Sequence, residues 1–199
     1  MANTAICAEL EGNIDLSCLR ALVKKYFQEV VIINFNDIDR EASTLNMGSG
    51  ATCDYTVSMV LKEGKKGVMI KLPENGGTIK GTYAKSTSDL GFNQYLHTVN
   101  ILMAGASAAI KCALDKLDRG RYVVAAQLSD GTVEIYGWEN GLTTGDYTFD
   151  LVDGGGGTVI PLQSKEAEQE SMIPLIYKSA VTGSENADFN EQFEQPVTP

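Results

Sequence analysis

The sequence predicts an α+β fold that is mainly β: a sandwich or barrel with one flanking α-helix over about residues 106–119. Three observations carry this. Glu29–Phe35, EVVIINF, sets Val30, Val31, Ile32 and Ile33 in a row, as a strand buried on both faces requires. Several short stretches alternate apolar with polar residues, the pattern of half-buried strands. Only Gly105–Gly120, GASAAIKCALDKLDRG, repeats apolar residues at helical spacing.

The elements follow in chain order. Ser17–Phe27 is either a short amphipathic helix or an irregular arm. Asn36–Asp39 closes the first strand with turn residues, and Arg40–Asp54, rich in Ser, Thr, Gly and Asn, reads as an irregular connection. Tyr55, Val57, Met59 and Leu61 mark one face of a strand. Glu63–Gly67 reads as a hairpin loop, with Val68, Ile70 and Leu72 continuing as the partner strand. After a turn at Pro73–Gly77, Thr78–Thr87 is a further strand candidate, as is Asn93–Met103.

In the helix, Ala106, Ala109, Ile110, Ala113, Leu114 and Leu117 share one side, and Lys111, Asp115, Lys116 and Asp118 the other. Ser107 is placed to cap its start, Arg119 suits the negative end of the helix dipole, and Gly120 suits a left-handed stop. Tyr122–Leu128 and Val133–Tyr136 form a hairpin around Ser129-Asp130-Gly131. Tyr147, Phe149 and Leu151 alternate as a strand. Thr158–Leu162 closes the series, with Pro161 expected at a sheet edge or strand end.

The organisation predicted is a β-rich domain over residues 1–163 and an acidic C-terminal arm or tail over 164–199. Seven acids against two lysines place half of the net charge of −10 in that last segment. Ser179–Pro199 reads as a solvated tail, or as an arm that orders on a neighbouring subunit. The 43% hydrophobic and 21% charged content is that of a globular chain. No apolar run approaches the roughly 18 residues of a membrane span. The start, MANTAICAELEGN, lacks signal-peptide character, which predicts a product retained in the cytoplasm where it is made.

Site chemistry is sparse. Cys7, Cys18, Cys53 and Cys112 are widely spaced and have one histidine among them, so they read as reduced thiols packed as small hydrophobes rather than as a zinc site. His97 has no nucleophile and acid in sight and reads as a surface or satisfied structural residue. A cysteine enzyme using Cys112 or Cys53 with His97 is the weakest alternative. Gly154–Gly157 lacks the ending of a P-loop, and Asp37, Asp39 and Asp54 lack calcium-loop spacing. Trp138 is either an exposed interface anchor or a cap on the core. The acidic balance excludes a protein that grips DNA through its phosphates.

Several phrases resemble the tail tube proteins of long-tailed bacteriophages, in particular those associated with phages of the Bacteroides group. They are VVIINFNDID (Val30–Asp39), LKEGKKGVMI (Leu61–Ile70), the unit through AAIKCALDKLDRGRYVVAAQ (Ala108–Gln127), and TVEIYGWENGL (Thr132–Leu142) leading to DYTFDLVDGGGG (Asp146–Gly157). The resemblance spans residues 1–163. It implies a tail-tube-like fold in a virion protein without enzymatic activity or cofactor. Subunits are expected to form rings, six to a ring in this family, that stack into a tube. The remaining partners it implies are a tape measure, a terminator and, in contractile tails, a sheath. DNA would pass through an acidic lumen without specific binding, and no membrane is involved. Leu45, Met47, Lys62, Lys65, Lys66, Trp138, Glu166 and Glu168 are the expected inter-subunit contacts, the lysines meeting acids on an adjacent ring. The alternatives are a tail terminator, a head-decoration protein, a secretion-system injection tube, or a monomeric binding module.

Overall fold

The computed structural model describes residues 29–48, 54–71, 79–105, 107–128, 130–150 and 157–194. The Ser17–Phe27 segment, the turn at Pro73–Gly77, the glycine run Gly154–Gly156 and three of the four cysteines lie outside these. The fold is mainly β, as expected, and consists of two sheets and two helices.

The larger sheet has seven strands: β1 (Glu29–Asn34), β2 (Ile38–Asn46), β3 (Thr56–Leu61), β4 (Val68–Lys71), β7 (Tyr122–Gln127), β8 (Val133–Tyr136) and β11 (Leu175–Tyr177). Its order is β2-β3-β11-β8-β7-β1-β4. The smaller sheet contains β5 (Lys80–Thr87), β6 (Asn93–Ala104), β9 (Thr143–Thr144) and β10 (Gly157–Gln163), in the order β5-β6-β10-β9. Helix α1 spans Ala108–Asp118 and α2 spans Glu185–Asn190.

The doubly buried run in β1 explains the layering. Val30 and Ile32 enter a core shared with Val124, Ala126, Val99, Ile101, Ile160, Leu162 and, from α1, Leu114 and Leu117. Val31 and Ile33 enter a second core on the opposite face, with Val57, Met59, Leu61, Val123, Ala125, Ile135, Leu175 and Phe189. The first core lies between the sheets; the larger sheet curls around the second. Ser107 caps α1 as predicted, its hydroxyl accepting the Ile110 amide.

The C-terminal segment differs most from expectation. β11 sits in the middle of the seven-stranded sheet, pairing with β8 and, in parallel, with β3, and of the stretch Ser179–Pro199 read as a solvated tail or an arm, residues 179–194 pack back on the same subunit while 195–199 lie outside the described residues. Phe189 and Phe193 are fully buried. Phe193 stacks edge-on against Tyr177 at 4.9 Å, and the Tyr177 hydroxyl donates to Asp188. Most of the acids lie at exposed or partly exposed positions, Glu170 excepted, while apolar residues at wide intervals face in. Gln192 and Phe193 both hold a left-handed backbone (φ 57° and 60°). That conformation is costly without glycine, and the burial of Phe193 offsets it.

Three further expectations are corrected. Arg40–Asn46, placed in an irregular connection, belongs to β2; its pairing with β3 shifts register between Asp39 and Thr44, where the Asp39 carboxylate accepts the amides of Glu41 and Ala42. The bulge explains why period-2 alternation fails there. Second, β4 pairs with β1 and not with β3, because both edges of β3 are taken by β2 and β11. The loop before β4 instead crosses the second core. A Cβ on Gly67 would lie 2.3 Å from Val31 Cγ1 and 3.0 Å from Ile33 Cγ1. Gly67→Ala is therefore expected to lower stability by about 1–3 kcal/mol through overpacking, measured by urea unfolding; Gly64→Ala, with nothing near its Cβ position, then serves as the reference for backbone strain alone.

Third, of the expected Tyr147–Leu151 strand, residues 147–150 are an irregular run and Leu151 lies outside the described residues. Only Thr143–Thr144 pair regularly, with Leu162 and Gln163. The chain then follows β10 loosely through Gly145 N–H to Pro161 C=O, Thr158 Oγ1 to Thr148 C=O, and a bridge at Asp150 and Gly157. Pro161 lies inside β10, not at its end. In a strand, a residue's N and O point to the same side, so the missing donor faces the irregular run, where regular pairing has already lapsed.

Candidate assembly surface

The four-stranded sheet has one face in the first core and one in solvent. Cross-strand register sorts the side chains. His97, Val99 and Ile101 of β6 and Thr158, Ile160 and Leu162 of β10 face inward and are buried. Their neighbours Gln94, Leu96, Thr98, Asn100 and Leu102, with Val159, Pro161 and Gln163, form the outer face, joined by Lys80, Thr82, Ala84 and Ser86 of β5. Among the described strand residues, Lys80 carries the only charge on this face. It is a nearly neutral wall, mostly polar, with apolar points at Ala84, Leu96, Leu102, Val159 and Pro161.

The two margins of the wall differ in charge. β5 is the edge strand, eight residues long and paired on one side by β6. It carries exposed Lys80 and Lys85 and no acid. The opposite margin is the run Thr143–Asp150 along β10. Its Tyr147 and Phe149 turn into the first core, while Asp146 and Asp150 are exposed. That margin has no cation. At the far tip of the β5–β6 hairpin, Leu90 and Phe92 are 83% and 66% exposed. The tip is held tightly by hydrogen bonds between Ser88 and Phe92.

Beneath the wall lies a buried polar knot. The imidazole of His97 accepts the Gly137 amide at Nδ1 (3.2 Å), so Nε2 carries the proton and donates to the Met172 carbonyl (2.9 Å). His97 is thus a satisfied structural histidine. Burial lowers its pKa to about 4, with the Met172 hydrogen bond opposing. Tyr136 stacks edge-on against it and donates to Glu134, and burial raises the phenol's pKa. Glu170, fully buried, accepts the amides of Glu139 (2.7 Å) and Asn140 (2.9 Å). Burial raises its pKa, against those two amides. This knot ties β6, the turn after β8 and the segment before β11 into one unit. A lone buried carboxylate inside an acidic stretch gave no sign of this in the sequence.

The residues expected to contact other subunits lie on several different elements. Leu45 is exposed on β2, and Met47 packs against the second core. Trp138 is 7% exposed, inside the subunit, with the Arg40 guanidinium 4.0 Å over its ring and 4.7 Å over Phe35. It caps the core and is not available as an exposed anchor. The lysines are engaged within the chain: Lys62 Nζ donates to the Asn36 carbonyl, Lys65 pairs with Asp37 (3.4 Å), and Lys66 with Glu194 (3.5 Å). Glu168 pairs with Arg121 (2.7 Å), and Glu166 is exposed. Cys112 is exposed on α1 rather than packed. Lys65, Arg119, Arg121 and Lys165 also line an open cleft of about 560 Å³ with Phe35 and Asp37.

No protein-family pattern, curated protein or solved structure matches the chain.

Proposed function

We propose that the chain is a structural protein that assembles with copies of itself into stacked rings forming a tube, as the tail tube of a long-tailed bacteriophage does, and that it acts without catalysis or cofactor. The observation that carries this reading is the four-stranded sheet. It is an apolar layer on the inside and a nearly neutral polar wall on the outside, and among the described residues its β5 margin is an edge strand. Strands of this kind suit a wall between a packed core and a wet channel. Among the described residues β5 pairs on one side only, and an edge of eight residues left so is a template for pairing with another chain.

On this reading the outer face lines the lumen. Its strands carry Lys80, and the margins add Lys85, Asp146 and Asp150. The lining with its margins is thus neutral per subunit, and most of the chain's acids lie elsewhere. Such a surface offers DNA phosphates little to hold, since affinity for them comes from clustered cations.

Negative-stain electron microscopy of the purified full chain at high concentration tests the proposal. Hollow rings or tubes of uniform width are the expected result. Single closed rings that never stack would favour a tail terminator. A monomer at every concentration would overturn self-assembly and favour a binding module.

A further inference from the structure

Cations of this acidic chain gather in one concavity. Lys65, Arg119, Arg121 and Lys165 line the cleft of about 560 Å³, and among the described residues Asp37 is the one acid in its lining. The whole chain has 26 acids against 16 cations, so the balance inside the cleft is opposite to that of the chain. We propose that the cleft binds a compact phosphate compound carrying two or more negative charges, free or joined to a nucleoside. The site lies within one subunit and does not depend on self-assembly.

The four cations come from separate elements: the loop before β4, the end of α1, the residue before β7 and the stretch after β10. Lys65 pairs with one carboxylate oxygen of Asp37 and Asn34 donates to the other (2.8 Å), so the acid of the lining is already matched. That leaves Arg119, Arg121 and Lys165 for a ligand. Lys165 is exposed and has no ion pair among the described residues. Arg119 gives Nε and Nη2 to Asp115, and Arg121 gives Nη2 to Glu168. A guanidinium has five N–H donors in a planar fork, so each keeps donors for a second anion. Both pairs are open to solvent, where such pairs hold weakly. The stem of Arg121 is fixed by packing: a Cβ on Gly141 would lie 2.5 Å from Arg121 Cγ and 2.8 Å from Phe35 Cδ2. A cation placed before the ligand arrives loses less freedom on binding.

Size and layout select the class of anion. The volume is that of a small-molecule site. The cations surround one concavity; an extended acidic peptide would call for a line of them. Arginine matches phosphate oxygens with paired N–H bonds, and a cleft lined by one sign of charge concentrates its counter-ion. A singly charged carboxylate gains little over Asp115 and Glu168, whereas a phosphate with two or more charges outcompetes them.

Calorimetric titration of the full chain with sodium pyrophosphate tests the site, at about 0.1 M salt, where charges more than about 10 Å apart are largely screened. Wild type is expected to bind one pyrophosphate per subunit. Arg119→Glu/Lys165→Glu is expected to weaken binding about tenfold or more. Lys80→Glu/Lys178→Glu makes the same change in net charge outside the cleft and is expected to stay within about twofold of wild type. All four positions are exposed, and circular dichroism checks that each variant folds. Lys165→Ala alone should show a smaller loss in the same direction as the cleft double variant.

Loss confined to the cleft variants supports the site. Competition by adenosine diphosphate and by orthophosphate then names the source, a nucleotide if the first displaces pyrophosphate at the lower concentration and free phosphate if the second does. Equal weakening in both double variants overturns the site and leaves only the pull of overall charge. Wild-type chains that bind no pyrophosphate overturn it as well, and a glutamate-rich peptide that binds in its place would assign the cleft to a protein partner.

Discussion

Phe189→Ala lowers the free energy of unfolding by about 3–5 kcal/mol, a large share of the roughly 5–15 kcal/mol that holds a domain folded. Phe189 is 0% exposed. It shares the second core with residues of β1, β3, β7, β8 and β11, and its ring centre lies 6.3 Å from that of Phe193. The cavity left by alanine opens in the hollow of the curled sheet, where the surrounding strands are fixed by their own pairing and relax little. Urea unfolding of the full chain measures the effect. Glu191→Ala, an exposed neighbour, is expected to stay within about 0.5 kcal/mol of wild type. If Phe189→Ala changed stability as little as Glu191→Ala does, the segment 185–194 would not be packed as described.

Acidification from pH 7 to pH 4 removes about 3 kcal/mol of stability through His97 alone. The folded histidine has its pKa lowered from 6.5 to about 4, chiefly because burial disfavours the imidazolium. Protonation at Nδ1 would also turn the acceptor of the Gly137 amide into a donor facing a donor. The unfolded chain therefore takes up the proton first. The stabilisation is complete above about pH 6.5 and drains away as the pH falls toward 4, with a slope near 1.2 kcal/mol per pH unit around pH 5. Glu170 runs the other way, because burial raises its carboxyl pKa in the folded state. The clean observable is the difference between wild type and His97→Gln across this range, in which Glu170 and the other carboxylates largely cancel. Wild type should lose stability faster than the variant as the pH falls; parallel curves would show that His97 does not titrate as its burial requires.

The parts of the fold written in local patterns were readable. EVVIINF gave a doubly buried strand because both its neighbouring layers are apolar, and Ser107 and the one-sided apolar stripe located α1 to within a few residues. The parts decided by distant partners were not. Leu61 and Val68 flank a loop that looks like a hairpin, yet the two strands belong to different places in the sheet. In the last segment, Met172, Leu175, Tyr177, Phe189 and Phe193 are too far apart to form a period, and seven acids mask them. The intramolecular partners of the lysines at 62, 65 and 66 were hidden for the same reason: Lys62 reaches the Asn36 carbonyl, Lys65 pairs with Asp37 and Lys66 with Glu194. Lys80 and Asp146 stood out in no way, since only the order of strands places them on opposite margins of one sheet.

The position of β11 has a consequence for timing. In the hydrogen-bonded order of the larger sheet, β2 and β3 connect to the other strands through β11 alone. Thr56 pairs with Ile176, 120 residues later. At ordinary rates of translation that separation is about 6 to 24 seconds. Throughout that interval the nascent chain holds two incomplete pieces of sheet, each with an open edge where β11 will enter. The larger sheet is finished only when this keystone arrives, so the second core that it curls around cannot close until residues 175–177 and the segment beyond them have been made.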